Sequence, residues 1–250
     1  MVRKSLKDAN IGMNPDFRNR GEEQTRIETF SDAVFALAVT LLVLSSTVPS
    51  TFEELYASFA NLIPFGICIT MLTVIWYQHY IFFIRYGFRD VKIVTLNTVL
   101  LFLILIYVYP LKFLFQVLFK LFSSLILGDQ AGLKHLFTEV IKPDETGTLM
   151  IIYGLGAAAI FLVLALMYLV AYRRKDSLDL NPKEAFDTKS NIYNNMLMAS
   201  VPIVSAIIAM FHFSGNFTVS GMVYWLYPIL MPVYSILRER KKKKLFKLST

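Results

Sequence analysis

The chain has 250 residues, of which 56% are apolar and 17% are charged, and its mean hydropathy is +0.54. Soluble domains carry about 25% charged residues, and the long apolar runs here have no polar face. These features exclude a water-soluble domain and indicate an integral membrane protein. The net charge of +7 lies in short segments between apolar runs without a recognition motif, which argues against nucleic-acid binding.

Six apolar runs along the chain are each near or above the 17–25 residues that a membrane-spanning helix needs. Helices are expected because a chain in lipid must satisfy its own backbone hydrogen bonds. Most Lys and Arg residues lie in residues 1–26, in the loops 85–92 and 173–189, and after residue 237. The positive-inside rule therefore predicts that both termini are cytoplasmic. The predicted spans are Ile27–Val48, Leu55–Ile84, Val91–Pro110, Leu149–Tyr172, Asn191–Phe213 and Phe217–Leu237.

This topology divides the chain into a cytoplasmic N-terminal segment (1–25), a transmembrane domain (26–237) and a basic cytoplasmic tail (238–250). Inside the transmembrane domain, residues 111–148 are predicted to form an extracytoplasmic amphipathic helix and loop. Lys112, Gln116 and Lys120 share one helical face there, because they recur every fourth residue. An interfacial helix and an outward extension of the third span both fit this pattern.

The first predicted span begins with a polar motif that includes Arg26, Ser31 and Asp32. Asp32 lies about one and a half turns inside the apolar run. A carboxylate at that depth costs on the order of 2–3 kcal/mol even on lenient scales. Charged side chains inside membrane segments usually face a bundle interior, a cavity or an ion path, so the motif predicts a polar site.

Polar side chains on the next two spans are predicted to lie at the same depth as this motif. Asp32, His79 and Asn97 each lie five or six residues from a cytoplasmic Arg or Lys, which is about 8–9 Å along a helix. Ser31 and Trp76 are close by, so a buried hydrogen-bond network is expected. The network either holds the first three spans together or forms a proton or cation site. His79 would make it sensitive to pH near neutrality.

Beyond Asp32, the first span presents a row of leucines. Leu37, Leu41 and Leu44 follow i, i+4, i+7 spacing, which forms one helical stripe, and Thr40 borders it. In a monomer such a stripe packs in the core or against another helix. In a symmetric oligomer it would face a central axis, where rings of leucine form hydrophobic constrictions that close by dewetting.

The run from Arg26 onward resembles the signature of the transmembrane protein 175 family, the lysosomal potassium channels and their prokaryotic relatives. The matching residues are Arg26, Phe30, Ser31 and Asp32. The six-span layout covers essentially the whole chain, and the layer of Trp76, His79 and Asn97 is similar to the network that surrounds the family's signature.

This resemblance implies a potassium-selective channel whose first helices surround the pore. The chain contains no Thr-Val-Gly-Tyr-Gly filter, and by position Leu37, Leu41 and Leu44 would form the constriction, with Thr40 as a hydroxyl ring that shapes selectivity. Arg26, Phe30, Ser31 and Asp32, with the layer on spans two and three, would hold the first helix. A single copy of the signature points to a prokaryotic homotetramer.

The expectation is therefore an all-α, six-span, homotetrameric potassium channel of the cell membrane that conducts passively and without a cofactor. The alternative is a proton-coupled secondary transporter that uses Asp32 and His79 as a relay. Against it, no inverted repeat or pair of Gly- or Pro-broken helices is visible in the sequence. A third hypothesis, a membrane enzyme or scaffold without transport, lacks support because the familiar enzyme motifs are absent from the sequence.

Overall fold

The computed structural model describes residues 17–21, 23–44, 49–59, 62–142, 145–211 and 217–246. Within these ranges the secondary structure is helical throughout, without a β-strand. A π-helical turn (Leu136–Val140) follows the fifth helix, and a 3₁₀ turn (Val223–Leu226) joins the last two. The helices are α1 (Arg26–Leu44), α2 (Phe52–Phe59), α3 (Leu62–Tyr86), α4 (Val91–Leu127), α5 (Gln130–His135), α6 (Glu145–Arg173), α7 (Pro182–Phe211), α8 (Phe217–Met222) and α9 (Tyr227–Phe246).

Five helical stretches in the described part are long and apolar enough to cross a membrane. They confirm the prediction of an all-α, multi-pass membrane protein. The helix α1 is not among them; it has 19 residues and carries Arg26, Glu28 and Asp32. The five stretches are α3, α4, α6, α7 and Val219–Phe246.

The predicted second span is wrong at its start, because the structure divides it into α2 and α3. The short helix α2 has its own N-terminal cap: the hydroxyl of Thr51 accepts from the backbone N–H of Glu54 at 3.2 Å. Pro64 stands in the first turn of α3, the helical position that a proline tolerates best. The predicted ends at Val48 and Phe213 lie outside the described residues.

The predicted end of the third span at Pro110 is also wrong. The helix α4 continues through this proline for a total of 37 residues and ends at Leu127, and the next residue, Gly128, takes the left-handed conformation. Of the two interpretations of this segment, the structure shows the extension of the third span and not a separate interfacial helix. Lys112 is buried rather than on a polar face, since its side-chain nitrogen donates to the main-chain oxygen of Leu42 at 2.8 Å.

The helix α4 lies at the centre of the bundle and contacts α1, α3 and α6. The most extensive packing joins α6 to α7, and α8 and α9 pack on α7 in turn. The pair α6–α7 approaches closely at Gly154, where a Cβ atom would lie 2.6 Å from the carbonyl oxygen of Pro202. The buried core between α1, α3, α4 and α6 includes Ala38, Leu42, Phe83, Ile93, Leu100, Leu164 and Met167.

A cluster of ion pairs joins the segment before α1 to the start of α7. Glu184 is fully buried, and it accepts hydrogen bonds from the backbone N–H of Arg18 at 2.7 Å and from the guanidinium of Arg20 at 2.7 Å. The same carboxylate caps α7 through the backbone N–H of Asn181 at 2.9 Å. The cluster therefore ties the chain just upstream of α1 to the α6–α7 turn.

The basic tail is not a separate segment in the structure as far as residue 246. The helix α9 continues into it, and Asp187 of α7 accepts hydrogen bonds from Arg238 at 2.8 Å and from Lys242 at 3.0 Å. The edge of the Phe246 ring packs on Phe186 with 5.9 Å between centroids. The predicted fifth span begins at Asn191, nine residues after α7 begins at Pro182. The helix extends beyond its apolar part, and this first, polar part contacts the tail.

Candidate functional site: the first helix and its polar support

A capping box fixes the start of α1. The backbone N–H of Thr25 donates to the carboxylate of Glu28 at 3.0 Å, and the N–H of Glu28 donates to the Thr25 hydroxyl at 3.3 Å. Each side chain thus satisfies a backbone donor that a helix start leaves without an intrahelical partner. The carboxylate at the positive end of the helix dipole adds to this stabilisation.

A chain of hydrogen bonds joins α1, α3 and α4 behind the signature motif. The side-chain amide of Asn97 donates to the Ser31 hydroxyl at 2.9 Å, and the Asn97 carbonyl oxygen lies 2.8 Å from Nε2 of His79. The Ser31 hydroxyl donates in turn to the main-chain oxygen of Ile27 at 2.8 Å. All three side chains are buried. Because Asn97 accepts from His79, the imidazole carries its proton on Nε2 in this arrangement.

Aromatic rings enclose the imidazole of His79 on two sides. Its ring centroid lies 5.7 Å from that of Phe35 on α1 and 4.7 Å from that of Phe83 on α3. The hydrogen-bonded chain therefore lies inside an apolar and aromatic core, where an unpaired polar group would be costly. The three polar side chains and these rings hold α1 against α3 and α4.

Asp32 belongs to a second, separate set of hydrogen bonds. The indole N–H of Trp76 donates to one carboxylate oxygen at 2.8 Å, and the Gln24 amide donates to the other at 3.1 Å. Asp32 is half-buried and borders a groove of about 390 Å³ between α1 and α3. Sequence reasoning missed Gln24, because this residue lies upstream of the helix and no motif links it to Asp32.

Two predicted members of the network lie elsewhere. Arg26 and Phe30 are on the exposed side of α1, where Phe30 is 63% exposed. Arg26 and Phe30 are four residues apart and so share one side of the helix, whereas Ser31 follows Phe30 by a single residue, a rotation of about 100°. The helical period of the motif therefore carries this signal. The structure therefore brings together Ser31 with the side chains of α3 and α4, and it leaves Arg26 and Phe30 on a surface that the described residues do not cover.

One stripe of α1, which we call the exposed stripe, consists of Phe30, Ala33, Leu37 and Thr40. These residues are exposed and follow helical spacing, and Leu37 is 50% exposed. Ala38 and Leu42 are buried on the opposite side of the helix. The helix α1 therefore exposes one side and buries its opposite, apolar side in the core. An amphipathic helix in lipid that leaves such a stripe open is typical of an oligomer interface or a pore.

The other two predicted constriction residues differ from Leu37. Leu41 is half-buried and packs against the core, at the edge of the exposed stripe. Leu44 is the last described residue of α1, but its side chain is outside the described part of the structure. Thr40 donates its hydroxyl to the main-chain oxygen of Ala36 at 2.9 Å. This bond uses the only proton of the hydroxyl and leaves its oxygen free to accept, as a cation requires.

The exposed stripe carries an oxygen acceptor among apolar side chains, and its helix is fixed from behind by buried hydrogen bonds. Within the described ranges, no group of three or more His, Cys, Asp or Glu side chains is placed to hold a metal ion. The arrangement suits a surface past which a weakly held ion moves.

Comparison with known proteins agrees with these features. The family model "Endosomal/lysosomal potassium channel TMEM175" matches residues 26–108, which include α1, α3 and most of the apolar part of α4. A "Potassium channel" from Marivirga tractuosa is 52% identical over 238 residues, which are 94% of this chain and 96% of that protein. The chain belongs to the TMEM175 family. The resemblance of the signature motif is thereby confirmed.

Solved structures extend this comparison to the fold. The crystal structure of a point variant of the potassium channel MtTMEM175, in complex with a nanobody–MBP fusion protein, is 52% identical with a TM-score of 0.80. It covers 92% of this chain and 99% of that chain. A lysosomal potassium-selective channel TMEM175 homolog from Chamaesiphon minutus shares the fold at 18% identity, with a TM-score of 0.52 and coverage of 85% and 96%.

Proposed function

We propose that this member of the TMEM175 family is a potassium-selective channel, in which α1 lines a central pore formed by four copies of the chain. The observation that carries the proposal is the exposed stripe of α1, which is open on a helix whose other side is held in the core. Its relatives that are named potassium channels, at 52% identity over nearly the full chain, support the same function.

Leu37 forms the first constriction of the proposed pore. Rings of apolar side chains in a narrow pore exclude water and so resist the passage of a hydrated ion. Leu44 lies seven residues further along α1, about 10 Å away along the axis, and forms the second constriction. Leu41, at the edge of the stripe, supports these rings from the side that faces the core.

Thr40 contributes the polar ring between these two constrictions. Its hydroxyl proton is engaged by Ala36, so the oxygen points its lone pairs away from the helix and can replace part of the hydration shell of an ion. Four such oxygens at one level are weak ligands. Weak ligands at few sites let a potassium ion enter and leave, which conduction requires.

The polar support behind α1 has a structural role in this proposal. Ser31, His79 and Asn97 fix the rotation of the helix, and Trp76 fixes Asp32. The exposed stripe can then keep its direction toward the axis. Phe30, the first residue of the stripe, and Arg26, one turn earlier and also exposed, lie at the entrance of the proposed pore.

The topology we propose has six crossings, with α1 as the first and both termini in the cytoplasm of a cell that carries the channel in its plasma membrane. The 19 described residues of α1 span about 28 Å, close to the roughly 30 Å of a hydrocarbon core. The ion pairs of Glu184 with Arg18 and Arg20, and those of Asp187 with Arg238 and Lys242, lie at the same end of the bundle. That end matches the cytoplasmic side by the positive-inside rule.

The alternative, a proton-coupled exchanger, would need a relay between Asp32 and His79. These two side chains belong to separate sets of hydrogen bonds: Asp32 bonds to Trp76 and Gln24, and His79 bonds to Asn97. A direct proton path between them is therefore absent from the described contacts, which favours the passive channel.

Purified protein in liposomes tests the proposal. A potassium channel sets a reversal potential that follows the Nernst potential of potassium at two potassium gradients and is unaffected by a pH gradient. The reversal potential of a coupled exchanger changes with both the potassium and the pH gradient, with a slope that its stoichiometry fixes. Absence of potassium flux, from protein that elutes as a single folded species, would contradict the proposed function.

A further inference from the structure

Of the five long apolar stretches, the one that contains α9 is the least covered by the rest of the bundle. In the apolar part of this stretch (Val219–Phe246), 6% of the residues are buried, against 33% to 44% in the other four. The helices contact one another in the order α1, α4, α6, α7, α9, so α9 is the furthest of these from α1. With α1 at the axis of the proposed channel, α9 lies on the outer side, which lipid covers.

One side of α9 is attached to α7 along its length. The hydroxyls of Tyr227 and Tyr234 donate to main-chain oxygens of α7 at 2.6 and 2.7 Å. Further along, Arg238 and Lys242 donate to the carboxylate of Asp187 at 2.8 and 3.0 Å. The spacing of positions 227, 234, 238 and 242 places them on one side of a helix. These contacts fix the rotation of α9 and determine which residues point away from the bundle.

The opposite side of α9 carries a row of exposed residues that changes from apolar to basic along the helix. The row follows i, i+4, i+7, i+11, i+15 spacing. Its last two members are each two residues from Lys242, a rotation of about 200° away from the side that contacts α7. We call this row the outer stripe, and it consists of Ile229, Val233, Ile236, Arg240 and Lys244.

Two further lysines, Lys241 and Lys243, flank the basic end of the outer stripe. Both are exposed, and each is about 100° from Lys242 around the helix. Among the described residues, no side-chain hydrogen bond or ion pair engages Arg240, Lys244 or these two lysines. Asp187 binds the other two basic side chains of this helical segment, at positions 238 and 242. Four positive charges therefore point outward without a counter-charge from the described part of the chain.

The apolar part of the outer stripe determines the depth of its basic part. Ile229, Val233 and Ile236 are 62%, 48% and 52% exposed, and on the outer side of a membrane protein such side chains face hydrocarbon. Arg240 follows Ile236 by four residues, which is about 6 Å along the helix. Long basic side chains extend from apolar surroundings toward polar ones. The charged groups consequently lie at the level of the lipid headgroups, where phosphate oxygens are the available anions.

We propose that the basic end of the outer stripe, together with Lys241 and Lys243, binds the headgroups of anionic phospholipids in the cytoplasmic leaflet. Clusters of Lys and Arg at the cytoplasmic end of a membrane helix attract anionic lipid, and a guanidinium group such as that of Arg240 pairs well with phosphate oxygens. A soluble polyanion would meet the same charges, but only a lipid also fits the apolar part of the stripe. The inference uses the arrangement and topology proposed above and does not require ion flux.

Lipid selectivity at the protein surface tests this proposal. The purified protein is placed in phosphatidylcholine vesicles that contain a trace of spin-labelled phosphatidylglycerol or spin-labelled phosphatidylcholine. Electron spin resonance gives the fraction of each labelled lipid that the protein immobilises, and hence their relative association constant. The measurement is repeated for the double variant Arg240→Gln/Lys244→Gln and for Arg240→Lys/Lys244→Arg, which keeps both charges.

The matched control is the double variant Lys175→Gln/Lys189→Gln. It removes the same number of charges near the same end of the bundle, and its lysines are exposed. They differ from the outer stripe because both lie over the ring of Tyr172, with their nitrogens 5.9 and 6.0 Å from its centroid. A second measurement needs only the wild type: a phosphatidylglycerol with a photoreactive headgroup is crosslinked, and the modified peptides are identified by mass.

We expect the wild type to prefer phosphatidylglycerol by about twofold or more, and the neutral Arg240/Lys244 variant to lose about half of this preference or more. The charge-preserving variant and the Lys175/Lys189 control should retain it, and the crosslinks should lie in α9. A tail that only sets the topology would give no preference between the two lipids.

Three results would overturn the inference. One is equal association of both lipids with the wild type. Another is an equal loss of preference in the two neutral double variants, because general attraction to a basic protein would then be sufficient. The third is crosslinking confined to helices other than α9. A wild type that selects anionic lipid through α9 but passes no potassium supports this inference and contradicts the proposed channel function alone.

Discussion

Asn97 on α4 donates its side-chain amide to the hydroxyl of Ser31 on α1 at 2.9 Å, while its carbonyl oxygen lies 2.8 Å from the imidazole of His79 on α3. One buried amide thus connects three helices and uses both of its functional groups. The Ser31 hydroxyl donates its proton to the main-chain oxygen of Ile27. The direction of each hydrogen bond that joins His79, Asn97, Ser31 and Ile27 is therefore determined. The rotation of α1, and with it the direction of the exposed stripe, depends on this amide.

The variant Asn97→Ala should destabilise the channel. It leaves His79 and Ser31 without their partner inside the core, and an unsatisfied buried polar group costs about 1–3 kcal/mol. The expected result is a lower melting temperature in detergent and a channel with altered conductance. The control is Thr95→Ala on the same helix, because Thr95 is exposed and bonds only to the backbone of its own helix. Equal melting temperatures for the two variants would contradict the role of Asn97.

Depth along the helices predicts that Asp32, His79 and Asn97 lie at one level, with Ser31 adjacent to Asp32, and in the structure it is Ser31 that joins Asn97 and His79. That arithmetic needs only the rise per residue and the charged residues at the membrane surface. It does not give helix rotation, and the family resemblance groups Arg26 and Phe30 with the network although they lie on the exposed side of α1. Rotation could have been read from the 3.6-residue period of the motif itself.

Other contacts could not be predicted from local sequence. The four-residue spacing of Lys112, Gln116 and Lys120 predicts a polar face, but a contact with the main-chain oxygen of Leu42 on α1 buries Lys112. The proline at 110 predicts a helix end, whereas α4 continues through it. The burial of Lys112 depends on a second helix that no short sequence window contains.

The variant Thr40→Val should reduce potassium selectivity. Valine keeps the shape of threonine and removes the oxygen that is proposed to face the ion. We expect the potassium-to-sodium permeability ratio to fall by about fivefold, which corresponds to roughly 1 kcal/mol of lost differential stabilisation. Thr98→Val is a matched control, since Thr98 is also exposed and donates in the same way to the carbonyl four residues earlier. A ratio that falls equally in both variants would count against a ring of Thr40 oxygens.

The variant Leu37→Ala should widen the first constriction. Removal of the isobutyl groups makes the pore easier to hydrate at that level, so the unitary conductance should rise by about twofold or more. Ile106→Ala serves as the control, because Ile106 is similarly exposed but lies on α4 and is not part of the stripe on α1. An unchanged unitary current and unchanged ion ratios in Leu37→Ala would refute the assignment of Leu37 to the pore.

The ion pair of Asp90 with Arg174 should stabilise the folded protein at neutral pH and lose this effect in acid. The oxygens of Asp90 lie 3.0 Å from the guanidinium nitrogens. Burial raises the pKa of Asp90, but the hydrogen bond and charge of Arg174 outweigh it and leave this pKa below its ordinary value. A carboxyl with a lowered pKa in the folded state stabilises that state above its unfolded pKa. This contribution is lost as the pH falls through the lowered pKa.

Melting temperatures of the wild type and of Asp90→Asn, measured from pH 6 down to acid, check this prediction. The difference between the two proteins should be largest near neutral pH and should shrink as Asp90 of the wild type takes up its proton. Glu53→Gln is the control, since Glu53 is exposed on α2. A constant difference at all pH values would show that the ionisation of Asp90 contributes nothing to stability.

Accessibility of single cysteines from the aqueous pore tests most directly the claim that the exposed stripe of α1 lines the conduction path. The native Cys68 is fully buried and is replaced by serine in the background. Ala33→Cys, Leu37→Cys and Thr40→Cys are then compared with Ile106→Cys during application of a small thiol-reactive cation. The account predicts that modification of the three stripe positions blocks potassium current and that modification at position 106 has no effect. Undiminished current at all three stripe positions, with labelling of those cysteines verified by mass, would contradict it.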